Sequence, residues 1–125
     1  MNSPDYLVFT EKENNIVDNL VGLGIKKNIA KVVVYLSSVP EATSRMIERV
    51  TDLRQPEVSI AMRNLKEFKW VEIREKKRES KGRPVKIYRL SKSFNEIMDK
   101  LEGEMKLQAQ NKLELLQALR DIILK

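Results

Sequence analysis

The sequence predicts an α+β chain, mainly α with one small β-hairpin. Three observations predict it. Apolar residues recur at helical spacing in five blocks, near residues 10–22, 26–37, 44–51, 56–68 and from 93 onward. Residues 70–75 and 85–90 instead alternate as strands do. Charge is concentrated around that alternating pair: residues 54–92 hold 13 of the 24 Lys and Arg against 5 of the 18 Asp and Glu. The formal charge of +6 therefore resides in this stretch.

Whole-chain properties limit the possibilities. A length of 125 residues fits one domain with an appended element, and 42% hydrophobic residues build a modest core. A basic balance points to a polyanionic partner, nucleic acid before an anionic membrane. Cysteine and histidine are both absent, which removes disulfides, thiolate chemistry, zinc fingers and His-based catalysis. A reducing, cytoplasmic compartment fits that composition. No apolar run approaches the ~18–20 residues of a membrane span, and Met1 to Asp5 lack the pattern of a signal peptide.

In chain order, residues 1–9 show no period and read as loosely packed. Thr10 and Glu13 form a capping-box pattern, followed by an apolar stripe of Ile16, Val17, Leu20 and Val21. Gly22 and Gly24 end that helix. A second helix spans 26–37 with Ile29, Val32, Val33 and Leu36 inward. Its β-branched Val32–Val34 run is read as helix because the period continues on both sides. Val39 and Pro40 close it. Residues 41–42 suggest a very short strand, and Thr43 or Ser44 caps a third helix with Met46, Ile47 and Val50 inward. A tight turn, 52–54, leads to a fourth helix from Pro56 to about Phe68, proline being suited to a helix start. Val58, Ala61, Met62, Leu65 and Phe68 form its inward face. Two short helices joined by such a turn make a helix-turn-helix. The returning strand opens with Pro84, which suits an edge. The last helix runs from Ser91 or Ser93 to about Leu124, with a heptad seam of Phe94, Met98, Leu101, Met105, Gln108, Lys112, Leu115, Leu119 and Ile122. Gly103 predicts a bend or join within it.

Two groups carry candidate chemistry. The outward face of the fourth helix offers Arg54, Gln55, Glu57, Ser59, Ile60, Arg63 and Asn64, side chains of the kinds that meet base edges, with Ile60 suited to a thymine methyl. An ordinary solvated helix face is the competing reading, and the position just before a basic hairpin favours nucleic acid. Lys76, Lys77, Arg78, Lys81, Arg83 and Lys86 cluster around the hairpin tip beside Gly82 and Pro84. Such crowding repels itself unless phosphates relieve it, so phosphate or minor-groove contact is expected. Trp70, Tyr35 and Tyr88 read as core residues. No phosphate loop, nucleophile elbow or metal-ligand cluster occurs, so catalysis, metal and cofactor are not expected.

Several segments together resemble archaeal winged-helix transcription regulators, with TrmB-like and MarR/ArsR-like proteins the nearest groups. These are Leu23-Gly24-Ile25, Ala30 to Leu36, Ala42-Thr43, Arg63 to Glu67, Trp70-Val71-Glu72 and Gly82 to Leu90. The resemblance covers about residues 20–92. It implies a winged helix-turn-helix that binds DNA as a dimer, with helix 56–68 in the major groove and wing 76–84 on backbone or minor groove. Family members often carry glycine where Lys69 stands, which implies a left-handed conformation there. ArsR-type metal sensing needs Cys and His that this chain lacks. No counterpart of the TrmB effector domain is seen, so sugar sensing is not carried over and a small-molecule effector stays open.

The resulting expectation is an N-terminal segment and helix at 1–22, a winged helix-turn-helix at 23–92 and a C-terminal dimerisation helix at 93–125. The partners expected are double-stranded DNA and a second copy, without a membrane. Phe94, Met98, Leu101, Met105, Leu115, Leu116, Leu119, Ile122 and Ile123 are the candidate dimer interface, since with Leu113 they make the last turns too apolar to stand alone in water. A two-fold dimer would set two reading helices ~34–36 Å apart. The other reading is a protein-interaction module within the transcription machinery, its basic wing meeting an acidic partner.

Overall fold

The structure is a computed structural model that describes residues 9–77 and 84–125. It divides into two compact units, Met1–Ser91 and Lys92–Lys125.

In the first unit, α1 (Glu11–Gly22) starts with the capping box expected: Glu13 N–H donates to Thr10 Oγ1 at 3.3 Å, and Thr10 N–H donates to Glu13 Oε1 at 2.8 Å. It ends in a Schellman motif. Gly24 N–H reaches Val21 O at 2.9 Å, Ile25 N–H reaches Leu20 O at 3.1 Å, and Gly24 sits at φ +101°. Val17 and Leu20 are buried and Ile16 half-buried, but Val21 is exposed, so the apolar stripe is narrower than its periodicity implies. Phe9 is buried, which corrects the reading of residues 1–9 as loosely packed at its last position.

α2 (Lys27–Ser37) is the centre of the unit. α1, α3 (Ser44–Thr51) and α4 (Gln55–Glu67) all pack on it. Ile29, Ala30, Val32, Val33, Val34, Tyr35 and Leu36 are all buried, which an isolated amphipathic helix would not allow. Burial on several sides explains how a run of three valines remains helical: packing outweighs the small propensity cost of branching.

Thr43 caps α3, accepting from Met46 N–H at 3.3 Å. Ile47 and Val50 are buried while Met46 is only half-buried. The helix closes at Asp52, in the left-handed region at φ 60°. Leu53 plugs the turn, and α4 begins at Gln55, one residue before Pro56.

The sheet has order β1–β3–β2, all antiparallel, from β1 (Ala42–Thr43), β2 (Val71–Lys76) and β3 (Val85–Leu90). β1 lies one residue beyond the expected 41–42. β3 is the central strand, which corrects the edge position inferred from Pro84. The proline is tolerated because it precedes the strand, and β1 pairs only at Ile87 and Tyr88. Trp70, Tyr35 and Tyr88 are core residues as expected.

The second unit holds α5 (Phe94–Leu124), 31 residues long. Ser93 and Glu96 form its capping box, with Ser93 N–H donating to Glu96 Oε1 at 2.7 Å and Glu96 N–H to Ser93 Oγ at 3.1 Å. The helix runs through Gly103 without interruption, so no join forms there. Among the described residues, no helix is long and apolar enough to cross a membrane.

Candidate nucleic-acid interface

α4 is held by Val58, Ala61, Met62 and Leu65, all buried on one face. That anchoring turns Arg54, Gln55, Ser59, Ile60 and Arg63 outward, and each is exposed. Ile60 is 55% exposed, an apolar side chain left in water on a helix with ample inward surface. Lys66 shares this face, seven residues after Ser59, and was missed although the same spacing marks it. Phe68, expected inward, is 41% exposed, its ring 5.0 Å from that of Trp70.

Three of the candidate readers have local duties. Glu57 Oε1 accepts from Arg54 N–H at 2.9 Å, which ties it to the helix start. Gln55 Nε2 donates to Ser59 Oγ at 2.8 Å. Asn64 is half-buried and lies at the flank, lining a groove of about 290 Å³ with Lys26, Lys27, Asn28, Ile29, Glu57, Ile60 and Ala61.

Helix α4 ends at a second Schellman motif. Lys69 N–H donates to Lys66 O and Trp70 N–H to Leu65 O, each at 3.0 Å, with Lys69 at φ 65°. The left-handed lysine implied by the resemblance is thus present. Ser91 fastens this corner: its hydroxyl donates to Lys69 O and its N–H to Trp70 O, both at 2.8 Å. The corner fixes where β2 leaves the helix, and so where the hairpin projects.

The hairpin register runs from Val71 opposite Leu90 to Lys76 opposite Val85. Lys76, Lys77 and Lys86 are exposed near its outer end. Arg78, Lys81 and Arg83 lie outside the described residues. Within the sheet, Arg74 is paired with Glu41 at 2.8 Å and Arg89 with Glu72 at 2.6 Å. These two arginines therefore already have carboxylate partners. Among the described residues, Arg45, Arg54, Arg63, Lys66, Lys76, Lys77 and Lys86 have no carboxylate within salt-bridge distance.

The fold also gathers cations that lie far apart in sequence. Arg45, at the start of α3, shares a groove of about 540 Å³ with Lys86, Pro84, Val85, Thr43, Ser44 and Glu48. Lys26 and Lys27, at the start of α2, border the exposed face of α4. No local pattern marks these three as part of a site, because only the packing of α2 and β3 brings them there.

The candidate dimer residues divide by exposure. Phe94, Met98, Leu101 and Met105 are half-buried, whereas Leu115, Leu116, Leu119, Ile122 and Ile123 are 52–74% exposed.

The sequence matches no family model and no curated protein. Solved structures resemble it in fold. TrmBL2, an archaeal chromatin protein whose structure shows its mode of DNA binding, matches 90% of this chain with a TM-score of 0.71 at 15% identity. This chain spans 41% of the length of TrmBL2. A possible transcriptional regulator from Methanosarcina mazei Go1 matches 81% of this chain, and 86% of its own, with a TM-score of 0.66 at 17% identity. The helix-turn-helix of α3 and α4, flanked by β1 before it and the β2–β3 hairpin after it in one three-stranded sheet, is a winged-helix fold, which these structures share.

Proposed function

We propose that this protein is a sequence-specific, double-stranded-DNA-binding transcriptional regulator that acts as a homodimer. α4 enters the major groove, where Gln55, Ser59, Ile60 and Arg63 meet base edges. The hairpin lies on the backbone or in the minor groove, with Lys76, Lys77 and Lys86 at the outer end of its described strands. The carrying observation is the outward face of α4, where polar side chains and a solvent-exposed Ile60 lie beside Lys26 and Lys27, while Arg45 and Lys86 share a second groove next to the hairpin. An apolar group in that setting suits a thymine methyl better than water.

Lys26 and Lys27 add phosphate contacts beside α4, and Arg45 adds one beside the hairpin. The exposed end of α5 joins two copies, which makes the preferred site a repeated half-site. Fold likeness to TrmBL2, described as a chromatin protein, supports DNA as the partner class.

Selection from random duplex DNA followed by sequencing tests the proposal. A consensus of two related half-sites is the expected result. Salt-steep binding without any consensus would replace sequence reading by backbone-only binding. Absence of salt-sensitive affinity for any duplex would remove DNA altogether and favour an acidic protein partner.

A further inference from the structure

The apolar stripe of α5 is interrupted once, and the interruption is symmetric. Phe94, Met98, Leu101 and Met105 precede it, Gln108 and Lys112 form it, and Leu115, Leu119 and Ile122 follow it, at strictly alternating intervals of four and three residues. The late half is 55–72% exposed at its three seam positions, and Met98, Leu101 and Met105 retain part of their surface.

We infer that two copies of the chain pair through α5 in antiparallel orientation, with the two-fold axis at the level of Gln110. The inference rests on the homodimer reading above. In a parallel, in-register pair every seam residue meets its own copy. Lys112 would face the partner's Lys112, placing two ammonium groups in an otherwise apolar seam. In the antiparallel pair Lys112 faces the partner's Gln108, twice by symmetry, and the amide oxygen accepts from the ammonium. The flanking layers then match large apolar with large apolar: Met105 with the partner's Leu115, Leu101 with the partner's Leu119, Met98 with the partner's Ile122. Sliding one helix by a heptad either way sets Lys112 against Leu115 or Leu101, which leaves a charge unpaired among apolar groups. One register alone keeps polar on polar, so the break in the stripe sets orientation and alignment together. This self-complementarity identifies the occupant as a second copy, because the complement of each half of the stripe is the other half.

The orientation has a geometric consequence for the helix. The Phe94 positions of the two copies lie about 48 Å apart along the pair, given a rise of 1.5 Å per residue.

The chain has no cysteine, so single cysteines can report the pairing. Met105→Cys and Leu115→Cys proteins are mixed, allowed to exchange and gently oxidised. The mixed disulfide should exceed its statistical share well above either same-site dimer, while Leu119→Cys alone should crosslink poorly. Ready self-linking of Leu119→Cys without the mixed product would overturn the antiparallel pairing. A second measurement leaves the seam untouched: spin labels at the exposed Asn95→Cys should lie about 45 Å apart. Labels within about 20 Å, as helices spaced 8–10 Å apart in parallel would give, also overturn it. Sedimentation of the unsubstituted chain separates the two failures. A monomer removes the homodimer reading itself, whereas a dimer with the short distance removes only the orientation.

Discussion

The side-chain amide of Gln55 donates to the hydroxyl of Ser59 at 2.8 Å, one turn along α4. Two of the polar groups on the outward face are thus joined into one unit. Arg63, one turn further, is exposed and has no carboxylate partner among the described residues. In the proposed complex Arg63 is therefore free to engage a guanine edge. Arg63→Ala should weaken binding to the selected duplex by about 1–3 kcal/mol and relax preference at one base position. Fluorescence anisotropy against single-base variants of that duplex measures both effects.

Glu57 separates folding from charge. Its carboxylate accepts the Arg54 N–H at the start of α4, an acceptor role that glutamine retains. Glu57→Gln should melt near the parent temperature and bind DNA more tightly at low salt, because an acidic group beside phosphates is removed. Glu57→Ala removes the acceptor as well and should cost about 1 kcal/mol of stability. Thermal melts and salt-dependent binding distinguish the two variants.

Lys69 occupies the left-handed region at φ 65°, where glycine carries no side-chain penalty. Lys69→Gly should stabilise the first unit by up to about 1 kcal/mol, since relief of the ~1–2 kcal/mol strain exceeds the added freedom of the unfolded chain. A branched residue there should destabilise it. Midpoints of thermal unfolding test the sign.

Gly103 lies within α5, and a Cβ added there meets nothing within 4 Å. Gly103→Ala should therefore stabilise the helix by about 1 kcal/mol through propensity alone. Circular dichroism on heating reads this out. Unchanged melting would mean that α5 does not limit the transition.

Glu96 titrates below the ordinary glutamate range. The backbone N–H of Ser93 is the main cause and the Ser93 hydroxyl the next; desolvation opposes them, and the Lys92 charge makes the least contribution in the same downward direction. A carboxylate depressed in the folded state contributes its cap above the unfolded pKa and loses it as pH falls through the folded one. Ser93→Ala should move the Glu96 midpoint upward, and fraying of the first turn of α5 should begin at higher pH. A carbon-detected NMR titration of the Glu96 carboxyl follows this directly.

Much of the architecture is legible in local pattern. The Thr10–Glu13 capping box, the Gly24 stop and the 70–75 and 85–90 alternations are signals over fewer than ten residues, and each corresponds to an element. The outward face of α4 is legible for the same reason: a period of 3.6 separates Val58, Ala61 and Leu65 from Ser59, Ile60 and Arg63. Periodicity was less informative at the ends of elements. Val21 and Phe68 keep the period yet remain exposed, because burial also needs a partner at that height along the helix.

What the sequence determined by itself is the order and type of the elements and the concentration of positive charge near the hairpin, both properties of neighbouring residues. Tertiary structure decided the rest. β3 became the central strand because β1 pairs on its far side, a contact across more than forty positions that no local signal carries. Arg74 and Arg89 were withdrawn from the basic surface by Glu41 and Glu72, while Arg45, Lys26 and Lys27 were brought to it. Composition counts charges, but only packing sets the distances between them, and Coulombic interaction depends on those distances.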